Sequence, residues 1–270
     1  MKPIKYSLFV GSLSLILAKP LIAHDFWLEP STFNAQSGDE VSLTLRVGEN
    51  LQGDTLPYID DWFSDYRVVS DSGERSIEGI MGDDPAGKFV AVAPGLHLVG
   101  YRSTNNSVEI ESQKFHDYLV KEGLESVVEI RNQRGDGDIP GREDYSRCAK
   151  TLVSVGDRYS GDIFNKRLGY TLELIPEVNP YSMSSGDSLP VQLLYLSEPI
   201  QDVLVVAFTQ DEPEKMTSAR TDESGRVNLE LGSPGVWLIK AVHIIETPPD
   251  NKQADWESFW ASLTFRLGPS

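Results

Sequence analysis

The sequence predicts an all-β protein of two immunoglobulin-like or transthyretin-like β-sandwich domains with a short helical connecting segment. Many short segments alternate polar and apolar residues, which is the period of a half-buried strand. Gly-Asp or Pro-Gly pairs precede several of them and indicate turns, and helical spacing is confined to the middle of the chain. With 40% hydrophobic and 9% aromatic residues, the chain is too apolar to be a disordered acidic protein.

The first half contains three clear strand patterns. Residues 40–47 alternate directly after a Gly-Asp turn. Residues 88–92 and 96–101 flank a Pro-Gly turn and predict a strand pair. We therefore assign residues 24–110 to an N-terminal sandwich.

The middle of the chain, residues 111–169, is predicted to be a partly helical connecting segment. Phe115, Tyr118 and Leu119 have helical spacing and are followed by Gly123, a residue typical of helix ends. Residues 124–130 predict a second short helix. Residues 143–153 predict a third, because Tyr145, Cys148, Ala149 and Leu152 would lie near one helix face.

The β pattern returns in residues 170–270, which we assign to a C-terminal sandwich. Strands are predicted over residues 189–196, 203–208, 227–231, 236–243 and 258–267. The alternative is a single larger sandwich with a helical insertion.

Residues 1–23 have the pattern of a cleaved secretory signal peptide. Lys2 and Lys5 precede an apolar run too short to span a bilayer, and Ala23 ends an imperfect cleavage site. We therefore expect a periplasmic protein, with an extracellular one as the alternative. No later segment is apolar enough to suggest a membrane span.

Charge and motifs exclude several functions. A net charge of -17 argues against nucleic acid, which basic side chains bind, and favours a cation. A single cysteine excludes an internal disulfide and a cysteine-rich zinc site. Because no serine elbow, phosphate-binding glycine loop or zinc-protease helix is present, we do not expect an enzyme.

His24 is the most informative candidate ligand, because cleavage after Ala23 makes it the first residue. Its free amine and imidazole can then chelate one ion, and such nitrogen ligands suit Ni(II) or Cu(II). His243, at the end of a predicted strand, is the second candidate. His97 and His116 are expected to face solvent, and Cys148 is expected to be a small buried hydrophobic residue.

Four segments resemble the domain-of-unknown-function 4198 family, formerly grouped with NikM-like nickel-transport subunits. They are residues 23–30 (AHDFWLEP), 118–124 (YLVKEGL), 142–150 (REDYSRCAK), and the C-terminal pair 235–243 and 255–265. The resemblance implies a periplasmic all-β protein that handles a transition metal, with a membrane transporter component as a possible partner. His24 and His243 match the motifs. Glu143, Tyr145 and Arg147 also match, without a known role.

Three functions therefore compete. The first is a periplasmic Ni(II)- or Cu(II)-binding protein that uses His24 and His243. The second is a glycan- or peptide-binding module with Trp27, Trp256 or Trp260 as stacking platforms. The third is an oxidative copper enzyme, because a terminal histidine together with a second histidine superficially resembles the copper-binding histidine brace of such enzymes.

Overall fold

A computed structural model describes residues 24–156 and 161–268, so the predicted signal peptide, residues 1–23, lies outside the described residues. Residues 24–110 contain nine strands: β1 Asp25–Pro30, β2 Asn34–Ala35, β3 Glu40–Glu49, β4 Gln52–Leu56, β5 Phe63–Ser70, β6 Gly73–Ser76, β7 Lys88–Val90, β8 Gly95–Ser103 and β9 Asn106–Ile110. A single 3-10 turn, Asp60–Trp62, lies between β4 and β5.

Two helices and a long strand follow. They are α1 Ser112–Lys121, α2 Glu125–Arg134 and β10 Gly141–Val155. The remaining strands are β11 Leu172–Pro176, β12 Ser188–Tyr195, β13 Glu198–Pro199, β14 Leu204–Thr209, β15 Thr217–Arg220, β16 Arg226–Glu230, β17 Gly235–Glu246 and β18 Trp256–Leu267, with 3-10 turns at Ile163–Asn165 and Pro180–Ser182.

The predicted all-β sandwich fold is confirmed. One ten-stranded sheet runs in the order β15-β14-β17-β18-β10-β8-β5-β6, and β2 and β9 also pair with β10. A four-stranded sheet built on β1, β3, β4 and β7 packs on one face of it, and another built on β11, β12, β13 and β16 packs on the other face. Two sandwiches thus share one continuous sheet.

Strand β10 joins the two halves of that sheet. It pairs in parallel with β18 on one side and antiparallel with β8 and β9 on the other. Its even-numbered residues, such as Cys148 and Leu152, enter the core beneath β11–β12, whereas Ala149 and Val153 enter the core beneath β1 and β3. The strand is therefore buried on both faces.

The helix predicted over residues 143–153 is wrong, because these residues belong to β10. A strand buried on both faces need not alternate polar and apolar residues. The helical spacing of Tyr145, Cys148 and Leu152 is therefore not diagnostic. Among the described residues of the connecting segment, α-helix is confined to α1 and α2.

Both of those helices are confirmed. One glycine, Gly123, follows α1, and a second, Gly141, lies where α1 packs against β10. Gly123 has a φ of +71°. This is a left-handed conformation that glycine adopts at low cost. At Gly141 a Cβ would lie 2.4 Å from the Phe115 ring, so α1 packs directly on the start of β10. Among the described residues, no helix is long and apolar enough to span a membrane.

A buried ion pair ties β10 to the second sandwich. Lys150 Nζ lies 3.1 Å from Glu173 Oε1, and both side chains are almost completely buried. The same carboxylate accepts backbone hydrogen bonds from Leu168 and Gly169, at 2.6 and 3.1 Å. Every oxygen of the carboxylate is thereby satisfied, which a buried charge requires.

Replacing Glu173 by Gln should lower the free energy of unfolding by about 3–5 kcal/mol, since it leaves the Lys150 ammonium buried without its counter-charge. Urea unfolding measures this loss. The control is Glu230→Gln, an exposed residue of β16 that removes the same charge and should change stability by less than about 0.5 kcal/mol. Equal losses in the two variants would contradict the prediction.

Candidate functional site

A buried cluster of three charges fixes the start of strand β1. Lys240 Nζ, on β17, lies 2.7 Å from Asp25 Oδ1 and 2.9 Å from Glu122 Oε1. All three residues are more than 90% buried. Burial lowers the pKa of Lys240, but the two carboxylates outweigh it and the net shift is upward. Asp25 is thereby held beside α1 and β17.

His24 is positioned by that cluster and by the pairing of β1. Asp25 pairs with Gly48 in the antiparallel register of β1 and β3, so His24 comes opposite Glu49. A hydrogen bond from Lys121, at 2.6 Å, is the main cause that lowers the pKa of Glu49, and the nearby His24 imidazole contributes. His24 is half-buried, and its Nδ1 is buried with no hydrogen-bond partner among the described residues.

His243 lies on the other face of the same sheet. Strand β17 pairs with β18 without interruption, so residues 240 and 243 point to opposite faces. The His243 ring packs against Tyr195, with centroids 4.7 Å apart, whereas Lys240 contacts Asp25. Burial lowers the pKa of His243 to about 4. The structure therefore does not bring the two predicted ligands together.

The side chains around His24 do not form a complete metal cage. Within residues 24–156 and 161–268, no group of three or more His, Cys, Asp or Glu side chains is arranged to hold a metal ion. Lys240, Glu122 and Glu49 were not among the residues singled out from the sequence. A lysine within the apolar run of residues 236–244 was the available signal, since a buried lysine is rare unless it is paired.

For the other residues whose burial was predicted individually, two predictions agree with the structure and one does not. His116 is exposed and Cys148 is buried, as expected. The prediction for His97 is wrong: it is 1% exposed and its ring stacks on Phe89 at 5.8 Å. Strand β8 is buried on both faces, so alternation with Leu96 and Leu98 did not place His97 in solvent. Burial also lowers the pKa of this imidazole.

The tryptophans proposed as stacking platforms belong mainly to the core. Trp27 and Trp256 are 1% and 3% exposed. Trp260 is half-buried and stacks on Tyr118, with ring centroids 5.5 Å apart. Its indole donates a 3.0 Å hydrogen bond to Ser258. Trp27 and Trp256 therefore offer no face to a glycan.

The middle motif places Glu143, Tyr145 and Arg147 on one face of β10. Glu143 is 3% exposed beneath α1, where Tyr118 and Ser258 donate hydrogen bonds to its Oε1. Its Oε2 has no hydrogen-bond partner among the described residues. Burial raises the pKa of Glu143 to about 7. Tyr145 and Arg147 instead line a cavity next to Phe26.

The chain belongs to the family described as a domain of unknown function, DUF4198, which matches residues 21–245. The matched segment includes His24, the charge cluster, both helices, all of β10 and His243. No curated protein matches the sequence.

Two solved structures match the chain at very low identity and low TM-score. The D0-D1 domain of intimin is 12% identical, with 89% of this chain and 97% of that chain covered and a TM-score of 0.20. Three N-terminal domains of the bacteriophage RB49 highly immunogenic outer capsid protein (Hoc) are 11% identical, with 89% and 59% covered and a TM-score of 0.19. Neither similarity supports an inference about function.

Glu143 should destabilise the fold as the pH rises. Its carboxyl ionises near pH 4.5 when unfolded and near 7 when folded, so its contribution is complete below pH 4.5 and is lost by about pH 7. The loss is about 3 kcal/mol, at about 1.4 kcal/mol per pKa unit. In urea unfolding between pH 4.5 and 8, Glu143→Gln should not show this loss of unfolding free energy. The control Glu129→Gln, at an exposed position, should still show it. Parallel wild-type and Glu143→Gln profiles would contradict this assignment.

His243 should destabilise the fold as the pH falls. Its folded pKa lies below the unfolded value of 6.5, so its contribution is complete above pH 6.5 and is lost as the pH falls towards 4, by up to about 3 kcal/mol. We expect His243→Gln to remove this loss in chelator-treated protein, as measured by urea unfolding. His116→Gln, at an exposed position, is the matched control. The assignment of this pH dependence to His243 would be overturned if His243→Gln lost as much unfolding free energy at acid pH as the wild type.

Proposed function

We propose that the mature protein binds a transition-metal ion, Ni(II) or Cu(II), through His24 at its N-terminus without His243. The observation that carries this proposal is the unpartnered Nδ1 of His24, next to a residue that the Lys240 cluster holds in place. After signal cleavage, the α-amine and this nitrogen belong to one residue and can bind one ion. Such nitrogen ligands favour Cu(II) and Ni(II) over the other common divalent ions.

Glu49 is the side chain best placed to add a third ligand. It lies opposite His24 in the strand register, and its lowered pKa keeps it ionised. Because Glu49 already pairs with Lys121, a metal ion would have to compete with that ammonium. A carboxylate that exchanges between an ammonium and a metal suits a carrier that releases its ion.

The metal-carrier proposal includes a cellular role. An acidic secreted chain with a terminal chelate suits periplasmic capture or buffering of the ion, as an accessory to nickel, copper or cobalt uptake through a membrane transporter component. The separation of His24 from His243 leaves the copper-enzyme hypothesis without its second histidine. The buried Trp27 and Trp256 similarly weaken the glycan-platform hypothesis.

The test is calorimetric titration of Cu(II) and Ni(II) into the mature chain beginning at His24. We expect one ion per chain, and His24→Ala should weaken binding by at least about tenfold. Placing one alanine before His24 should weaken it similarly, because the amine and the imidazole then belong to different residues. His243→Ala is the matched control and should bind like the wild type.

Two outcomes would reject the metal-carrier proposal. One is no stoichiometric binding by the mature chain. The other is unchanged binding when the extra alanine precedes His24. A loss of binding in His243→Ala at unchanged stability would restore the two-histidine hypothesis instead.

A further inference from the structure

Arg147 lies in an unusual environment for an arginine of this acidic chain. Its guanidinium carbon is 5.0 Å from the centroid of the Phe26 ring and 5.3 Å from that of the Tyr145 ring. Two aromatic rings therefore flank the cation. This arrangement brings the opening motif and the middle motif of the family into contact.

The guanidinium of Arg147 forms no ion pair with any residue that the structure describes. Within residues 24–156 and 161–268, six arginines form ion pairs with carboxylates, and some others, such as Arg131, donate to backbone carbonyls instead. The six are Arg46, Arg67, Arg134, Arg142, Arg220 and Arg226. For Arg147, no described residue accepts a hydrogen bond from the guanidinium, and its backbone N–H donates to Ser103 Oγ at 2.9 Å. Asp25 is near enough to influence its pKa but is already bonded to Lys240. The five N–H donors of the guanidinium are thus free for a ligand.

These donors face a small cavity of about 170 Å³. Its walls come from separate segments of the N-terminal half and from β10, and include Phe26, Leu56, Trp62, Tyr101, Tyr145 and Arg147. Trp62 is 43% exposed, an unusual exposure for an indole. The volume is close to that of cavities that hold a single benzene ring, about 150 Å³.

A purely structural role would leave this arrangement unexplained. Cation–π contacts contribute about 0.5–2 kcal/mol, and they leave the edge of the guanidinium unbonded. Arg147 is half-buried, so its guanidinium is accessible to a ligand that enters the cavity. The planar edge of a guanidinium matches both oxygens of a carboxylate, while the aromatic walls match an apolar body.

We propose that this cavity binds a small organic carboxylate with an aromatic or short apolar body. Arg147 pairs with the carboxylate, and Leu56, Trp62 and Tyr145 contact the body. The site is distinct from the metal ligands at His24 and goes beyond the proposed metal function. It can be tested on metal-free protein, so either proposal can fail alone.

The experiment is calorimetric titration of benzoate into the chelator-treated mature chain. We expect saturable binding of one benzoate per chain. Benzamide, a neutral compound of nearly the same shape, should bind at least about tenfold more weakly, because it lacks the charge that pairs with Arg147. Inorganic phosphate should also bind more weakly, because it has no apolar body.

Variants locate the site. Arg147→Gln should weaken benzoate binding by at least about tenfold, whereas Arg266→Gln, an exposed arginine outside the cavity, removes the same charge and should have no effect. Leu56→Trp keeps Arg147 but fills the cavity and should abolish binding, which keeps the test valid if Arg147→Gln fails to fold. Absent benzoate binding, equal affinity for benzoate, benzamide or phosphate, or unchanged binding in Leu56→Trp would overturn the proposal.

Discussion

The architecture depends on burying strand β10 on both of its faces. Its parallel pairing with β18 joins the sheet of one sandwich to the sheet of the other. Alternate residues of β10 therefore enter two different cores. Where both faces of the strand are buried, its polar side chains need internal hydrogen-bond partners, because an unpaired buried polar group is costly. Lys150 pairs with Glu173, whereas Glu143 Oε2 is buried without a hydrogen-bond partner among the described residues.

The same constraint places the unusual residues of the molecule close together. Strand β1 packs over β10 and β18, and its first residue reaches Lys240 on β17. His24 is consequently fixed near Glu49, and Phe26 comes to lie on Arg147. His24 and Phe26 are two positions apart in the chain, so the proposed metal ligand and the proposed carboxylate cavity both lie near the start of β1.

Several features could be predicted from the sequence. The features that were predicted wrongly have one cause in common. The strands with one solvated face, such as β3 and β16, follow their alternating patterns closely. Helices α1 and α2 also follow their pattern, because a glycine marks the end of α1. Residues 143–153 and His97 lie on strands buried on both faces, where alternation carries no information about solvent. The sequence therefore predicted a helix for β10 and an exposed position for His97.

Local periodicity and turn residues were enough to predict the all-β class and the two short helices, and the family motifs could be read from the chain directly. The sequence also indicated His24, because it follows the predicted cleavage site. Which residues meet in space depends on the tertiary structure. The opposite orientation of Lys240 and His243 on β17 separates the two histidines. Long-range pairing of β1 with β3 brings Glu49 to His24. Such contacts join residues far apart in sequence, which no local pattern specifies.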